Sequence, residues 1–493
     1  MSYLELLKLA SPEAIVLVTA LIVLALGLTK SEQIKPAVSL IAALGLAVAA
    51  FAVSRLPQHA VLSDGMLVIS PLNSLFKVIC LVLAFFTIVL ARGDRQIRHQ
   101  GEYLALILLA TIGLLLLIGS EEFLMIFIGL ELTGLSLYVM TAFDHSDLRS
   151  AEAGLKYFLF GSMASAFTLF GLSFIYGLTG TTALTGIAHT FNATPIQPLL
   201  AAGIVMTLIG FAFKVAAAPF HLWAPDAYQG APVPTAAFIA SGSKVASFVV
   251  LGKIVLVGFG SLHGSADWHA LVAGWSPVLA VLAAVSIILG NLVALVQKNV
   301  RRLLAYSAVA HAGYTLLGLI AGGRNGFSAT LFYTTIYAIT LVGAFGVIAL
   351  VRRDTGGDDF SNFAGLRARS PLLAGCMAVF MLSLAGLPPL AGFFGKFYLF
   401  SAALRSGQNH GLLWLVALSL FGSLISLYYY LTVLKIIFLD DHDASAIPRT
   451  SRYDFEARAD FLPSLTVVVL AGAVILLGIV PEGLVARILA SLT

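Results

Sequence analysis

The sequence predicts an all-α polytopic membrane protein. Hydrophobic residues make up 59% of its 493 residues and charged residues only 11%, whereas soluble domains carry about 25% charged residues. Apolar runs of the length that crosses a bilayer, about 20 residues, follow one another along the chain. None of these runs shows the alternation over about ten residues that is typical of membrane β-barrel strands. The 28 basic and 24 acidic residues are too few to cover several water-soluble domains.

Charged residues, glycines and prolines divide the apolar runs into fourteen predicted transmembrane helices. Their approximate ranges are 12–29, 36–54, 71–91, 103–119, 122–141, 155–178, 200–223, 233–258, 277–297, 302–320, 328–351, 371–402, 411–438 and 463–486. The first run is interpreted as a membrane helix and not as a cleavable signal, because no small-residue cleavage site followed by a soluble domain comes after it.

The distribution of lysine and arginine predicts the orientation of these helices. One set of alternate loops holds sixteen basic residues and is therefore expected to be cytoplasmic: Lys30, Lys35, Arg92, Arg95, Arg98, Arg149, Lys298, Arg301, Arg302, Arg352, Arg353, Arg367, Arg369, Arg449, Arg452 and Arg458. The other set, which includes both termini, holds only five: Lys8, Arg55, Arg324, Arg405 and Arg487. Both termini are therefore expected on the outer side of the membrane.

The remaining seven lysines lie within or at the ends of predicted spans: Lys77, Lys156, Lys214, Lys244, Lys253, Lys396 and Lys435. An ammonium group at the bilayer centre costs about 2.5–3.5 kcal/mol. Lys77, Lys253 and Lys435 lie near helix ends, and we expect them to extend to the interface. Lys214, Lys244 and Lys396 lie near the middle of their segments. Burial there makes a lysine easier to deprotonate, which suits a proton carrier; a static ion pair between helices is the alternative.

Three further ionisable residues join these lysines as candidates. Glu131 is the only carboxylate deep within a predicted span, and we expect it to pair with one of the buried lysines; a hydrogen-bonded structural acid is the alternative. His221 follows Lys214 by seven residues, which is two turns along one face if the helix is continuous. His311 lies nine residues into its span. Both histidines are candidate proton relays, and the alternative for each is a hydrogen-bonded core histidine.

Two spans are interrupted beside a lysine. Pro219 follows Lys214, while Pro388 and Pro389 precede Lys396, and proline breaks a helix by removing a donor and clashing with the preceding turn. Broken helices at membrane depth are tolerated only where they are buried in protein or line a water-filled path. In transporters, interruptions at corresponding places in two halves indicate the transport site.

The spacing of these features predicts an internal repeat. The interval from Glu131 to His311 is 180 residues, and that from Lys214 to Lys396 is 182 residues. Two five-helix repeats of inverted topology would account for this spacing, because an odd number of spans reverses the second copy. The expected units are N-terminal helices 1–3 in 1–102, a first repeat in 103–258, a second repeat in 259–438, and a cytoplasmic loop with helix 14 in 439–493.

The sequence offers no cofactor or metal motif. Cys80 and Cys376 lie singly in apolar runs, which excludes a disulfide framework or a cysteine-ligated cluster. No histidine pair has the HxxxH spacing of a zinc site. The net charge of +4 is scattered along the chain and forms no nucleic-acid-binding stripe. We therefore expect this chain to bind no cofactor of its own and no nucleic acid.

Four motifs resemble the proton-conducting, antiporter-like subunits of respiratory complex I and their Mrp antiporter relatives. The motifs are GLEL at 129–132, FKVAAAPFHLWAPDAYQGAPVPT at 213–235, RLLAYSAVAHAGY at 302–314 and LAGLPPLAGFFGK at 384–396. The resemblance covers essentially the whole chain. Ser11-Pro12-Glu13, SLISLYYY at 423–430 and the fourteen-helix length resemble one class of these subunits. They do not fit the longer paralogue with its lateral C-terminal helix.

The resemblance implies roles for particular residues. Glu131 and Lys214 match the family's glutamate–lysine pair, Lys244 the central lysine, and Lys396 the lysine of the second broken helix, on the exit side. Lys156 matches a further lysine of the first half. His221 and His311 match polar positions on the central hydrophilic axis. In this family the subunit has no redox centre, and the sites for NADH, flavin, iron–sulfur clusters and quinone lie in other subunits.

We therefore expect a proton-translocating membrane subunit of a bacterial NADH–quinone oxidoreductase, located in the inner membrane. Its expected partners are the other membrane-arm subunits, including paralogous antiporter-like subunits, and the lipid bilayer. An Mrp-type cation/proton antiporter subunit is the first alternative, because it shares the broken helices and the lysines. A structural membrane anchor of a hydrogenase-type complex is the second.

Overall fold

A computed structural model describes residues 3–29, 35–94, 96–191, 196–406, 411–440 and 461–492. The expectations for Lys30, Arg95, Arg449, Arg452, Arg458 and the cytoplasmic loop 441–460 fall outside the described residues.

The described chain is almost entirely helical. Its α-helices are α1 Tyr3–Leu9, α2 Ser11–Gly27, α3 Lys35–Ser54, α4 Pro71–Ala91, α5 Gln100–Gly119, α6 Phe123–Thr141, α7 Leu148–Thr179, α8 Leu184–Phe191, α9 Pro198–Lys214, α10 Trp223–Gly230, α11 Val233–Phe238, α12 Lys244–Lys253, α13 Trp275–Ala294, α14 Val300–Ala321, α15 Gly323–Thr355, α16 Phe360–Phe363, α17 Leu366–Arg369, α18 Pro371–Ala385, α19 Ala391–Arg405, α20 Leu413–Phe438, α21 Phe461–Ile479 and α22 Glu482–Ser491. Two antiparallel hairpins lie in loops, formed by strands β1 Ala60–Leu62 with β2 Leu67–Ile69 and β3 Ser265–Asp267 with β4 Ala270–Val272.

The membrane prediction is confirmed. Within the described ranges, 11 helical segments are long and apolar enough to cross a membrane, and one of them, Val233–Gly258, joins α11 and α12 through π-helical turns. Three shorter apolar helices, α2, α9 and α18, occupy the remaining predicted segments. The division into two inverted repeats stays a prediction.

The core is built from three segments, two of which carry the candidate residues Lys244 and His311. The apolar windows of Val233–Gly258, α14 and α15 are each 94% buried, whereas those of α3 and α7 are 33% buried. Helix α15 packs against α14, α18, α19 and α21. Because the central helices are covered by protein on nearly every side, a polar group on them is held away from lipid.

Both predicted interruptions are present, and they end the helices earlier than the apolar runs do. Helix α9 ends at Lys214, and α10 begins only at Trp223. Helix α18 ends at Ala385, and α19 begins at Ala391. His221 lies in the turn between α9 and α10, so the condition of a continuous helix is not met and His221 does not share a helical face with Lys214.

One end of the helix bundle is rich in arginine, and we call it the arginine-rich end. Arg301 is fully buried there; its Nη1 lies 3.1 Å from Asp358 Oδ2, and its Nη2 donates to the carbonyl oxygen of Ala231. Arg352 lies 3.0 Å from the same carboxylate oxygen. Burial raises the pKa of Asp358, but the charges of Arg301 and Arg352 lower it more, so that the pKa lies below its usual value.

We expect Asp358→Ala to destabilise the protein by about 3–5 kcal/mol at neutral pH, because it leaves the buried Arg301 guanidinium without its counter-ion. A lowered carboxyl pKa contributes stability above its unfolded value and loses it as the pH falls through the folded value. The difference between wild type and variant should therefore shrink in acid. Thermal unfolding in detergent at several pH values measures this difference.

Asp354→Ala is the matched control. Asp354 pairs with Arg369 at 3.0 Å, but its side chain is 66% exposed, and exposed pairs contribute about 0–1 kcal/mol. Equal effects of the two substitutions would contradict the structural role given to Asp358.

Candidate functional site

Glu131 and Lys214 line one small cavity between α6, α7 and α9. The cavity has a volume of about 20 Å³ and is also lined by Tyr138, Ser165 and Thr168. Such a volume holds about one water molecule. The Ser165 hydroxyl donates to Glu131 Oε1. Within the described part of the chain, the Lys214 amine has no carboxylate within ion-pair distance. The predicted pair is therefore two groups that face one cavity without direct contact.

The end of α9 positions Lys214. The backbone turns at Ala216, which has a φ of +60°, and Pro219 follows, so the helix cannot continue. The indole N–H of Trp223 donates to the carbonyl oxygen of Phe213 at 3.0 Å, and the backbone N–H of Ala218 donates to Ser286 Oγ at 2.8 Å. The partial negative charge at a helix C-terminus favours a cation there. The break thus places Lys214 at the C-terminal end of α9.

Lys244 lies in the centre of the protein. It is 2% exposed and directly follows a π-helical turn, Ile239–Ser243; such turns occur frequently at functional sites. Its Nζ donates to the carbonyl oxygen of Ala308 on α14 at 2.8 Å and lies 5.5 Å from the ring centre of Tyr337. That distance is within the range of a cation–π interaction.

His311 lies between two tyrosine hydroxyls. Its Nδ1 shares a hydrogen bond of 2.6 Å with Tyr333, and its Nε2 shares one of 3.0 Å with Tyr430. The imidazole ring centre lies 4.9 Å from that of Tyr337 and 5.5 Å from that of Tyr314. Hydroxyl and imidazole groups can each donate and accept a proton, so this group can pass one on.

Lys396 bridges the second broken helix. Its Nζ donates to the carbonyl oxygen of Ala385, the last residue of α18, at 2.9 Å, and to Ser423 Oγ at 2.8 Å. It also lies 5.5 Å from the ring centre of Tyr314. Gly386 has a φ of +87°, and a Cβ there would lie 2.9 Å from Lys396 Cδ. Glycine is therefore required for the close approach of the lysine to the helix end.

These contacts join three predicted residues into one buried row, which we call the central row: Lys244, Tyr337, His311, Tyr314 and Lys396. Sequence reasoning missed its tyrosines. Tyr337 of the central row lies four residues after Tyr333, which binds His311, so both lie on one face of α15, and this spacing is the signal that could have found them.

The structure places the other two candidates away from the central row. The ring of His221 packs edge-on against Tyr306 with centres 6.3 Å apart, and its buried Nδ1 has no partner among the described residues. Lys156 is 40% exposed and lies 2.6 Å from Glu152 and 2.8 Å from Asp226, which also binds Arg302. Burial raises the pKa of Asp226, but hydrogen bonds from Lys156 and Arg302 lower it more, so the net pKa lies below its usual value. A relay role for either candidate stays a prediction.

The expectation that Lys77 and Lys253 extend to the interface is wrong. Lys77 is 1% exposed, and its Nζ lies 2.6 Å from Glu13 Oε1. Lys253 is 3% exposed, and its Nζ lies 3.5 Å from Glu121. Both lysines point into the protein because acceptors on other helices lie there. Lys435, in contrast, is exposed on α20, as expected.

Among the described residues, no three or more His, Cys, Asp or Glu side chains are grouped as they would be around a metal ion. Cys80 and Cys376 are free and buried. That this chain carries no cofactor of its own stays a prediction.

Comparison with known proteins identifies the family. Residues 120–426 match the family model described as NADH:quinone oxidoreductase/Mrp antiporter, TM. NADH-quinone oxidoreductase subunit N 2 of Acidobacterium capsulatum is 44% identical, with 98% of each chain covered. Subunit N of Desulforamulus reducens is 37% identical, with 96% of this chain and 95% of that protein covered.

Solved structures agree. A chain of respiratory complex I from Thermus thermophilus with bound aureothin superposes with a TM-score of 0.77 at 32% identity, covering 96% of this chain and 98% of that one. A chain of the Mrp complex from Dietzia sp. has a TM-score of 0.81 at 22% identity, covering 98% and 97%, which shows a shared fold. This chain therefore belongs to the family of NADH:quinone oxidoreductase and Mrp antiporter membrane subunits.

Proposed function

We propose that this chain is a proton-translocating membrane subunit of an NADH–quinone oxidoreductase. The observation that carries the proposal is the central row, in which two buried lysines are joined through a histidine and two tyrosines. Ionisable groups are costly inside a membrane protein and usually mark ion or proton pathways there. The full-length similarity to a protein named subunit N, at 44% identity, supports complex I over the Mrp alternative, because the Mrp chain from Dietzia sp. is 22% identical.

In the proposed mechanism, electron transfer to quinone in partner subunits changes the field at Glu131 and Lys214. The Lys214 ammonium releases a proton toward the central row, where Lys244 receives it. Tyr337, His311 and Tyr314 lie between Lys244 and Lys396, and Lys396 passes the proton to the outer side. The cavity shared by Glu131 and Lys214 supports the first step. Because no permanent ion pair with Glu131 holds the proton on Lys214, this lysine can respond to a change of charge at Glu131.

The proposed partners and membrane orientation rest on the exposure of Glu131 and on the arginine-rich end. Glu131 is only half-buried although it lies in a membrane-spanning helix, and a carboxylate at that depth avoids lipid. We infer that another membrane-arm subunit covers it. The arginine-rich end is assigned to the cytoplasm by the positive-inside rule, which places both termini on the outer side of a bacterial inner membrane.

Purification of the tagged chain in mild detergent tests the assembly. We expect it to migrate on a native gel with a very large complex that stains for NADH oxidation. Migration in a small, unstained complex would favour the Mrp-type or hydrogenase-anchor alternative. Cation-driven proton exchange in vesicles would then separate these two, because an anchor transports nothing.

Glu131→Gln tests the entry of the pathway. The amide is close in shape to the carboxylate but holds no charge, so we expect proton pumping to fall about tenfold or more, since a positioned proton-transfer group contributes about 10²–10⁴-fold. NADH oxidation with an artificial electron acceptor should stay unchanged, because it needs no quinone or proton step. Pumping is measured in inside-out vesicles by quenching of a pH-sensitive dye. Full pumping coupled to quinone reduction in this variant would rule out the relay.

Lys396→Met tests the exit, and Lys435→Met is the matched control. Methionine keeps the length of the side chain but carries no proton. We expect the first variant to lose most of its pumping, because Lys396 ends the central row. The second should pump normally, because Lys435 is exposed and lies outside that row. Equal pumping by the two variants in the same vesicle assay would contradict the position given to Lys396.

A further inference from the structure

A second cavity, of about 450 Å³, lies outside the proposed proton pathway, between α2, α5 and α6. We call it the α2–α6 groove. Its volume falls within the range of about 300–1,000 Å³ that is typical of sites for small molecules, and it is far larger than the space of one water molecule, about 30 Å³. Its walls are mostly apolar and include Leu24, Leu106, Leu109 and Val139.

The α2–α6 groove opens toward the bilayer. Leu24 and Val139 are both exposed on the outside of the bundle, on apolar helices that are assigned to the membrane. Leu109 lies seven residues after Glu102, which also lines the groove, so the groove runs about 10.5 Å along α5. That is about a third of the hydrocarbon thickness of a bilayer. Because hydrocarbon surrounds the bundle at this depth, one acyl chain of a lipid fits the groove.

Contacts within the protein hold the walls of the groove apart from any occupant. Helices α2 and α5 meet closely beside it, since a Cβ on Gly27 would lie 2.5 Å from Gly101 Cα. The Phe143 ring, which lines the groove, packs edge-on against Tyr103 with ring centres 5.0 Å apart. The Tyr103 hydroxyl in turn shares a hydrogen bond of 2.6 Å with Thr235. The groove is therefore a preformed feature of the fold.

Two polar side chains stand at one end of the groove, which we call its mouth. Glu102 lies in the first turn of α5, and His145 follows the end of α6. Among the described residues, the nearest charged partner of Glu102 is the imidazole of His99 at 3.8 Å, which is beyond hydrogen-bond distance. The Glu102 carboxylate can accept a hydrogen bond, and an imidazole carries at least one N–H donor. The mouth thus presents a negative acceptor and a donor side by side.

The mouth lies at the arginine-rich end. Beside His145, Asp144 Oδ2 accepts a hydrogen bond of 3.0 Å from Gln96, in the loop that follows α4. The same loop is bound by Arg353, which donates to the carbonyl oxygen of Arg92 at 2.7 Å. The polar mouth therefore lies at the level of the lipid headgroups of one leaflet, and the apolar walls run from there toward the bilayer centre.

We propose that the α2–α6 groove binds one phospholipid whose headgroup carries a primary ammonium, as in phosphatidylethanolamine. One acyl chain lies against Leu106 and Leu109, the ammonium donates to Glu102, and the phosphate accepts from His145. A choline headgroup has no N–H to donate, and a glycerol headgroup has no cation to pair with Glu102. The proposal depends on the membrane location of these helices and not on the proton pathway.

Photolabelling of the purified complex that contains this chain tests the proposal. The complex is placed in phosphatidylglycerol vesicles with a trace of a lipid that carries a diazirine in its acyl chain and an ethanolamine, choline or glycerol headgroup. Mass spectrometry then locates the label. We expect the ethanolamine probe to label residues 106–109 at least about fivefold more than the other two, because a charge-assisted hydrogen bond adds to the acyl-chain contact. Equal labelling by all three would indicate bulk lipid and overturn the proposal, as would no labelling, which would indicate that a protein subunit covers the groove.

Leu24→Trp tests the position of the acyl chain, and Leu17→Trp is the matched control. The larger side chain at Leu24 fills the groove, so we expect labelling by the ethanolamine probe to be mostly lost. Leu17 lies two turns earlier on the same face of α2, is also exposed, and does not line the groove. The control should label as the wild type does. Equal labelling of the two variants would contradict the position given to the chain.

Glu102→Gln tests the recognition of the headgroup. The amide keeps the shape of the side chain but removes its charge, so the preference for the ethanolamine probe should disappear while acyl-chain labelling remains. Glu152→Gln, at an exposed position on α7 outside the groove, is the control and should keep the preference. An unchanged preference in Glu102→Gln would overturn the proposed contact. The comparison of the three probes on the wild-type complex decides the main question even if a variant does not assemble.

Discussion

The cost of burying an amine in a membrane protein is the constraint on which the arrangement depends. Each buried lysine needs an acceptor, and in three cases the acceptor is a main-chain carbonyl: Ala308 for Lys244, Ile118 for Lys253 and Ala385 for Lys396. Ile118 and Ala385 lie at the C-terminal ends of α5 and α18, where carbonyls have no partner within the helix. Helix ends at membrane depth therefore supply the acceptors for two of the buried lysines, Lys253 and Lys396.

A carbonyl acceptor also leaves the lysine free to change its protonation state. A carboxylate paired directly with a buried lysine favours the charged form strongly, whereas a carbonyl is a weaker partner. The residues of the proposed pathway follow this rule, because Lys214 shares a cavity with Glu131 without an ion pair. Lys77 differs, since it contacts Glu13 directly.

The aromatic residues around His311 are in contact with both lysines of the central row. Tyr337 and Tyr314 lie against both the imidazole and one lysine each. Tyr333 and Tyr430 hold the imidazole through its two nitrogens, which fixes the ring's orientation. All these side chains lie on α14, α15 and α20. The second half of the chain therefore contains the part of the pathway whose side chains are in contact with one another.

The sequence alone determined the fold class, the positions of the spans and the two helix breaks, because the hydrocarbon thickness and the geometry of proline act locally along the chain. It also indicated Glu131, Lys214, Lys244, His311 and Lys396, since an ionisable residue deep in an apolar run has no local explanation. Only the tertiary structure decided which of these residues meet. It showed that Lys77 and Lys253 turn inward, that His221 lies off the face of Lys214, and that tyrosines complete the central row. A side chain at a helix end can point to water or to protein, and the choice depends on acceptors carried by helices distant in sequence.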